Sequence, residues 1–538
     1  MTATWPRVVP VGDRGLLVEF PPELSPETNA LVRGADAVLA RLPGVIETVP
    51  AFRSVLLVYD PLAVTFDDLV ERAHAAARAA RPPAEDIGPL IEVPVIYGGA
   101  YGPDLEAVAQ SVGIPQAEVV RLHTEPTYRV YMLGFSPGFP YLGLLPTPLQ
   151  LPRRASPRLR VPAGSVAIAD AFAGIYPQET AGGWHVLGRT PLRLFDPSRA
   201  DACLLRPGDR VRFVAVGRDP TPRAITVDVS STPRRPMFEV LEAGLMTTVQ
   251  DLGRRGHRRS GIPWSGPLDG GALRASNAAV GNDSGDAAIE LTFPGPRLRV
   301  LEEGQMAIAG ADLGARLNGT DIDHRTAIRV RPGDLIGFDA PRRGQWLYLS
   351  VAGGVDVPEA LGSRATYARG GLGGRPIRAG DILGVREERR VRPSGMVRAS
   401  GTASPSDPVR VIVGPQAEAC TGDALAAFFG LPFAVTVHRD RSGMRLRGPV
   451  LGHRGSAEIL SDGLLPGAIQ VPAGGDPLVI LADGPTTGGY AKIASVIDAD
   501  LDRLAQYGPG ETVRFAAVTV TAAHALLRDQ AREQAASW

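Results

Sequence analysis

Lysine is almost missing from this chain. Of 57 basic residues in 538, only Lys492 is lysine and the rest are arginine. That scarcity excludes a Gly-x-x-x-x-Gly-Lys-Ser/Thr phosphate loop, because the one available lysine sits in Gly-Gly-Tyr-Ala-Lys instead. Cysteine is scarce too. Cys203 and Cys420 are far apart and in no metal-ligand spacing, which leaves neither a disulfide framework nor a zinc site. No run approaches the roughly eighteen apolar residues of a membrane span. Residues 1–20 carry acids and prolines where a signal peptide would have a basic tip and an apolar run, so a cytoplasmic protein without a membrane partner is expected. Acidic and basic residues balance at 57 each, which supplies no net field to attract nucleic acid.

What is present is glycine and proline, 63 and 49 of them, set between short β-branched runs. That texture predicts a mainly β protein with an α/β module at its start. The length is enough for roughly three or four domains. Residues 1–85 read as a small βαββα module, with a strand at 16–20, a helix from 25 to 42, a hairpin of 46–50 with 54–59, and a helix at 65–79. Residues 88–216 read as a β-barrel interrupted by helices at 104–111 and 116–123, then 217–236 as a linker. The second half divides into a β-rich domain at 237–385, a linker at 386–408 and a second barrel at 409–525. Four turns of one kind precede predicted strands: Arg206-Pro-Gly-Asp, Arg331-Pro-Gly-Asp, Ala379-Gly-Asp and Gly508-Pro-Gly-Glu.

Two stretches echo one another. Val471-Pro-Ala-Gly474 leads through a β-branched run to Asp483, and then to Gly488-Gly-Tyr-Ala-Lys492. Earlier, Val161-Pro-Ala-Gly164 leads to Asp170, and then to Gly182-Gly-Trp-His-Val186. Matching order and spacing imply two copies of one supersecondary unit. A composition that turns nearly every lysine into arginine yet keeps Lys492 points to a position where a compact ammonium is needed, and therefore to an anion contact. Arg445, Arg158, Arg160 and Arg189 complete the expected anion set, although an arginine taken alone is more often a surface or interface salt bridge. His123 and His185 are candidates for moving a proton near neutral pH. Asp483 and Glu290 are candidate acids, with turn capping as the competing role. Trp184 and Tyr490 are candidates to flank a flat ligand. The stretch Tyr128-Arg-Val-Tyr-Met-Leu-Gly-Phe-Ser-Pro-Gly-Phe-Pro-Tyr-Leu-Gly-Leu-Leu-Pro146 alternates rings with Gly and Pro, and is expected to be a loop that offers rings and amides to a cleft.

Tyr131 to Pro146 of that stretch, with Pro157-Arg-Leu-Arg-Val-Pro-Ala-Gly-Ser165 and Gly182-Gly-Trp-His-Val-Leu-Gly-Arg-Thr-Pro191, resembles the B component of 5-oxoprolinase, also called allophanate hydrolase subunit 1. Thr248-Val-Gln-Asp-Leu-Gly253, Gly414-Pro-Gln416, Ser442-Gly-Met-Arg445 and the 470–496 stretch resemble the C component of the same enzyme; Pro485 stands where that family often has Gln. The resemblance implies a natural fusion of two polypeptides, cyclophilin-like β-barrels in both halves, and ATP-dependent opening of 5-oxo-L-proline to L-glutamate with a separate 5-oxoprolinase A component. It implies ATP with a magnesium ion as cofactor, while no metal ligands can be named. The motifs that carry it contribute the remaining expected contacts to substrate or nucleotide: Phe135, Gly138, Gly164, Ser165, Gly183, Gln250, Asp251, Gln470, Gly474, Thr487, Gly488 and Gly489. Related modules act in urea carboxylase, and a related pair regulates a histidine kinase. Biotin cannot be attached to this chain if Lys492 lies inside a barrel motif. Homo-oligomerisation is left open.

Overall fold

Two adjacent strands of the first module, Gly15–Glu19 and Ser54–Tyr59, are buried along their whole length. Such continuous apolar runs are what a sheet covered on both faces requires. One face, with Leu16, Val18, Val55 and Leu57, packs on the module's own helices Pro26–Leu39 and Phe66–Ala79. Ser25 and Thr65 cap those helices by accepting the amides of Thr28 and Asp68. The other face, with Leu17, Leu56 and Val58, packs on Trp264 and Leu465 of the second half. The module has one strand more than the sequence pattern predicts. Arg7–Val11 pairs with Gly15–Glu19 in a four-stranded sheet.

The computed structural model describes residues 5–83, 88–199, 201–217, 233, 235–386 and 407–536, so the stretches read as linkers lie largely outside it. The fold is mainly β, with eight α-helices among the described residues. The first barrel is closed: Arg210–Ala215, Leu90–Tyr97, His185–Arg189, Ser165–Ala169, Phe172–Ile175, Pro140–Gly143 and Tyr128–Leu133 follow in ring order. In the second, Phe515–Ala517, Val409–Val413, Lys492–Val496, Ala468–Gln470, Leu478–Ile480, Gly443–Arg447, Phe433–Arg439 and Thr512–Val513 follow in the same order. Its two end strands are consecutive in the chain, which leaves it nearly closed. Each barrel has one parallel pair at the corresponding place. Between them lies a sandwich of a seven-stranded and a five-stranded sheet around one apolar core.

The four Gly-acid turns all precede strands, and one hydrogen bond explains them. Asp209, Asp334 and Asp381 each accept the amide of the residue three positions earlier at 2.8 Å, and Glu511 accepts that of Gly508. The carboxylate closes the turn that aims the chain into the sheet. No helix among the described residues is long and apolar enough to cross a membrane, which says nothing of a β-barrel.

The repeat is present in three dimensions, with one correction. Gly182–Arg189 superposes in register on Gly488–Ser495, down to the extra residue, Leu187 and Ile493, where the pairing slips. The Val-Pro-Ala-Gly segments, however, are not equivalent. Gly164 donates to Tyr176 and accepts from Thr190; the residue doing this in the second barrel is Gly467, which donates to Ile480 and accepts from Val496. Both glycines have positive φ, 79° and 90°. Val471-Pro-Ala-Gly474 lies one hairpin further on, between Ala468–Gln470 and Leu478–Ile480. The resemblance of the letters there hides a shift of one strand.

Candidate functional site

Both halves place a two-stranded flap beside their barrel: Arg158–Val161 with Thr180–Gly182 in the first, Glu458–Gly463 with Thr487–Tyr490 in the second. The second flap reaches the aromatic segment of the first barrel. The Phe135 amide donates to Thr487 Oγ1 at 3.2 Å, and Gly134 leaves no room for a Cβ against the same hydroxyl. The Gly138 amide donates to the Ser260 carbonyl at 2.8 Å, which ties the segment to the strap at residues 258–265. Most of the aromatic stretch is not a loop. It is the hairpin of Tyr128–Leu133 with Pro140–Gly143, and only residues 134–139 turn. Accordingly the rings of Phe139, Tyr141 and Trp184 are buried against one another, while Phe135 is 39% exposed.

Unpaired polar atoms gather around this junction. Ser136 Oγ, Ser265 Oγ, Thr486 Oγ1 and Arg254 Nη1 are buried with no protein partner. Native interiors satisfy nearly all such groups, so a run of exceptions marks a place where water or a ligand completes them. Arg254 Nη2 is held by the Ala365 carbonyl, and burial lowers its pKa.

Lys492 is 0% exposed, and its ammonium pairs with Asp462 of the flap. Gln416 holds both partners, donating to Asp462 at 2.9 Å and accepting the Lys492 amide at 3.3 Å. Gln470 stands opposite Lys492 in the sheet and donates to the Tyr490 carbonyl at 3.2 Å; a Cβ on Gly488 would lie 2.6 Å from its Nε2. Gly489 lies close to Ser461. Thus Gln470, Thr487, Gly488, Gly489, Tyr490 and Lys492 come together, with Phe135 and Gly138 beside them. Sequence reasoning missed Asp462. Gln416 was visible as the end of Gly414-Pro-Gln416, without a role.

Other expected contacts are placed elsewhere. Arg158 forms a bidentate pair with Asp104, at 2.6 and 2.8 Å, and Arg160 pairs with Glu179 on the exposed flap. Arg189 lies over the Tyr101 ring at 5.4 Å. Arg445 lies on Gly443–Arg447, three strands from Lys492 in the sheet, and it is Arg441 that enters the junction. Arg441 takes both oxygens of Asp483 at 2.9 and 3.0 Å and also binds Glu290. Burial opposes its charge, but the two acids outweigh it and raise its pKa. Asp483 and Glu290 are therefore occupied by a guanidinium, not free as bases. Gln250 is buried on Thr248 and Thr366, and Asp251 organises a turn by accepting from Gly253, Ser363 and Arg364. Gly164 holds the barrel turn described above, and the Ser165 carbonyl accepts the Tyr176 amide at 2.9 Å. Gly183 accepts the Arg154 amide, and Gly474 has open space around it.

The two histidines need correction. His123 is fully buried among Tyr97, Tyr128 and Phe213, and burial drives its pKa down to about 3, so it stays neutral at physiological pH. His185 donates through Nε2 to the Pro152 carbonyl at 2.9 Å and stands in the place that Ala491 takes in the second barrel. Trp184 is a core ring, donating its amide to the Tyr176 hydroxyl, and does not flank an open site. No cluster of three or more His, Cys, Asp or Glu suited to a metal occurs among the described residues.

Comparison with known proteins follows this division of the chain. Carboxyltransferase domain, subdomain C and D, matches residues 6–205, and carboxyltransferase domain, subdomain A and B, matches residues 260–517. The first half is 42% identical to the B component of 5-oxoprolinase from Escherichia coli O157:H7 over 207 residues, 38% of this chain and 93% of that protein. The second is 36% identical to the C component of 5-oxoprolinase from Escherichia coli strain K12 over 301 residues, 55% of this chain and 96% of that protein. The crystal structure of TTHA0988 is similar across both halves, with a TM-score of 0.83 at 37% identity, covering 94% of this chain and 99% of that one. The urea amidolyase of Lachancea kluyveri is 33% identical over 54% of this chain, which spans 17% of that larger protein.

Proposed function

The chain belongs to the carboxyltransferase-domain family of the 5-oxoprolinase B and C components, joined here in one polypeptide, and on that premise we propose that it is the fused B and C part of an ATP-dependent 5-oxoprolinase. In this reading it opens 5-oxo-L-proline to L-glutamate together with a separate A component. The relatives' names support the substrate. The observation that carries a single shared site is the hydrogen bond from Phe135 in the first half to Thr487 in the second, beside the buried unpaired hydroxyls of Ser136, Ser265 and Thr486.

A lactam is a poor electrophile, and phosphorylation of its oxygen is the simplest use of ATP in opening it. Cations that are free to meet phosphate are then needed. Three of the five expected cations do not fit that role as they stand: Lys492, Arg158 and Arg160 are already paired with Asp462, Asp104 and Glu179. No phosphoryl step is therefore routed through them. What the junction's own residues can do is exclude water behind the Phe135 and Phe139 rings, offer the three hydroxyls to polar groups of a small amide, and present the unspent Nη1 of Arg254 to an anionic group.

The test is 5-oxoproline-dependent ADP release by the purified chain, with and without an A-type partner. Turnover in the mixture supports the reading; none in either sample overturns it, and tight binding to a histidine kinase without turnover would then favour a regulator. A second reading, carboxyl transfer from a biotin carried by another protein, is favoured by the family description and by the urea amidolyase relative. The buried Lys492 could not carry that biotin itself. Urea-dependent consumption of a carboxylated carrier would select it.

A further inference from the structure

The surroundings of Lys492 are not built by the second half alone. Glu19, at the end of the first module's Gly15–Glu19 strand, is 5% exposed and faces the second barrel. Arg7 lies 3.4 Å from its Oε2 and Arg53 3.4 Å from its Oε1, yet Oε2 accepts no hydrogen bond. Opposite it in the sheet is Ser54, whose hydroxyl is likewise buried and unpartnered. Arg7 crosses the seam, donating to the Pro415 carbonyl at 2.8 Å and pairing with Glu418 at 3.4 Å. The next residue, Gln416, is the one that holds Asp462 and Lys492. The flap strand carrying Asp462 lies against Ser54–Tyr59, so closely that a Cβ on Gly463 would fall 2.5 Å from Leu56 Cβ.

We propose that Glu19 is a positioning residue for Lys492, supplied by the first half to the second. Asp462 holds the ammonium directly, and Glu19 neutralises the two partly exposed guanidiniums, Arg7 and Arg53, that would otherwise bear on it as like charges. The charged groups around Glu19 come from every neighbouring element: Arg7 and Arg53 from its own module, Asp462 and Lys492 from the second barrel. Burial raises the Glu19 pKa, Arg53 and Arg7 oppose that, Asp462 adds to it and Lys492 opposes it, consistent with a carboxylate sensing both partners. The inference rests on the proposed enzymatic function only where it assigns Lys492 to a reaction.

The test uses the scarcity of lysine. An amine-reactive succinimidyl ester applied to the folded full chain can acylate only Lys492 and the terminal amine, and peptide mass spectrometry separates the two. Glu19→Gln is expected to speed Lys492 acylation about tenfold relative to the terminal amine. Glu19→Asp should restore most of the protection, and Arg53→Gln should slow acylation. Opposite signs are the key readout, because a merely loosened seam would speed labelling in every variant. Equal rates in all four proteins, or acceleration in Arg53→Gln, overturn the proposal. Where 5-oxoproline turnover is measurable, Glu19→Gln should lower kcat with KM nearly kept and displace the pH profile. Opposite-signed labelling in a chain without turnover would sustain the Glu19 inference while removing the enzyme reading.

Discussion

At matching places in its two barrels the chain sets opposite charges around the same backbone. In the first, Asp104 accepts the Val186 amide at 2.7 Å and is gripped by Arg158 from the flap and by Arg154. In the second, Gln416 accepts the Lys492 amide and is bound to Asp462 from the flap. Val186 and Lys492 both precede the slipped residue, and Arg158 and Asp462 both stand opposite the first glycine of their Gly-Gly pairs. The shared device, a side chain that receives the amide before the irregularity, is scaffold. What differs is the side chain at that position: an apolar one where the ion pair is a structural clip whose arginine is about a quarter exposed, and an ammonium where both partners are sealed. The comparison teaches that the second barrel carries a buried ammonium that its twin does without.

Making the barrels alike at that position is the severest test. Lys492→Val, the first barrel's residue, strands Asp462 and is expected to cost about 3–5 kcal/mol, read as a lower melting temperature of the second half. Lys492→Val with Asp462→Leu should recover much of it, because two apolar groups replace the pair; failure to recover would mean the pair does more than satisfy itself. In the first barrel, Asp104→Ala leaves two guanidiniums and the Val186 amide without their acceptor, at about 3 kcal/mol. Burial opposes ionisation of Asp104, but Arg158, the Val186 amide and Arg154 outweigh it and hold its pKa below the ordinary carboxylate value. Its contribution is thus present above that ordinary value and lost as pH falls through the depressed one, so an acid titration of unfolding should lose a component in Asp104→Asn.

Smaller effects separate the twin turns. Gly164→Ala would drive a Cβ into the Thr190 carbonyl, whereas at Gly467 the corresponding approach, to the Val496 carbonyl, is 2.9 Å. Both glycines have positive φ, so each change should cost about 1–3 kcal/mol, with Gly164→Ala the worse. Equal melting temperatures would argue against the equivalence of the two turns. Least of all, Arg160→Ala should shift stability by about 0.5 kcal/mol or less, since Arg160 and Glu179 pair in solvent.

Much of this twinning was legible in the sequence, and the illegible part has a physical reason. Gly-Gly-aromatic followed by an apolar run marks the same bend in both barrels, because the flap must turn sharply into a barrel strand. Val-Pro-Ala-Gly misled because proline and glycine suit any tight connection between strands, and the second barrel uses those letters one hairpin later. Asp483 and Glu290 were visible as acids, but the guanidinium of Arg441 that joins them lies 42 and 151 positions away in the chain. Glu19 and Asp462 left no local pattern at all. His123 looked like a proton carrier only because burial among rings cannot be read from a helix sequence.

The chain's beginning and end are also fastened to each other. The His524 ring donates to the Asp13 carbonyl at 2.8 Å and lies 3.2 Å from the Tyr59 hydroxyl, while Asp13 accepts the Asp498 amide that starts the helix Asp498–Ala505. In relatives named as separate components, the corresponding faces would have to find one another by diffusion. Here one polypeptide carries both, so their meeting is an intramolecular event. Dilution therefore does not part the halves, and a seam too weak to hold two free proteins together would suffice for one.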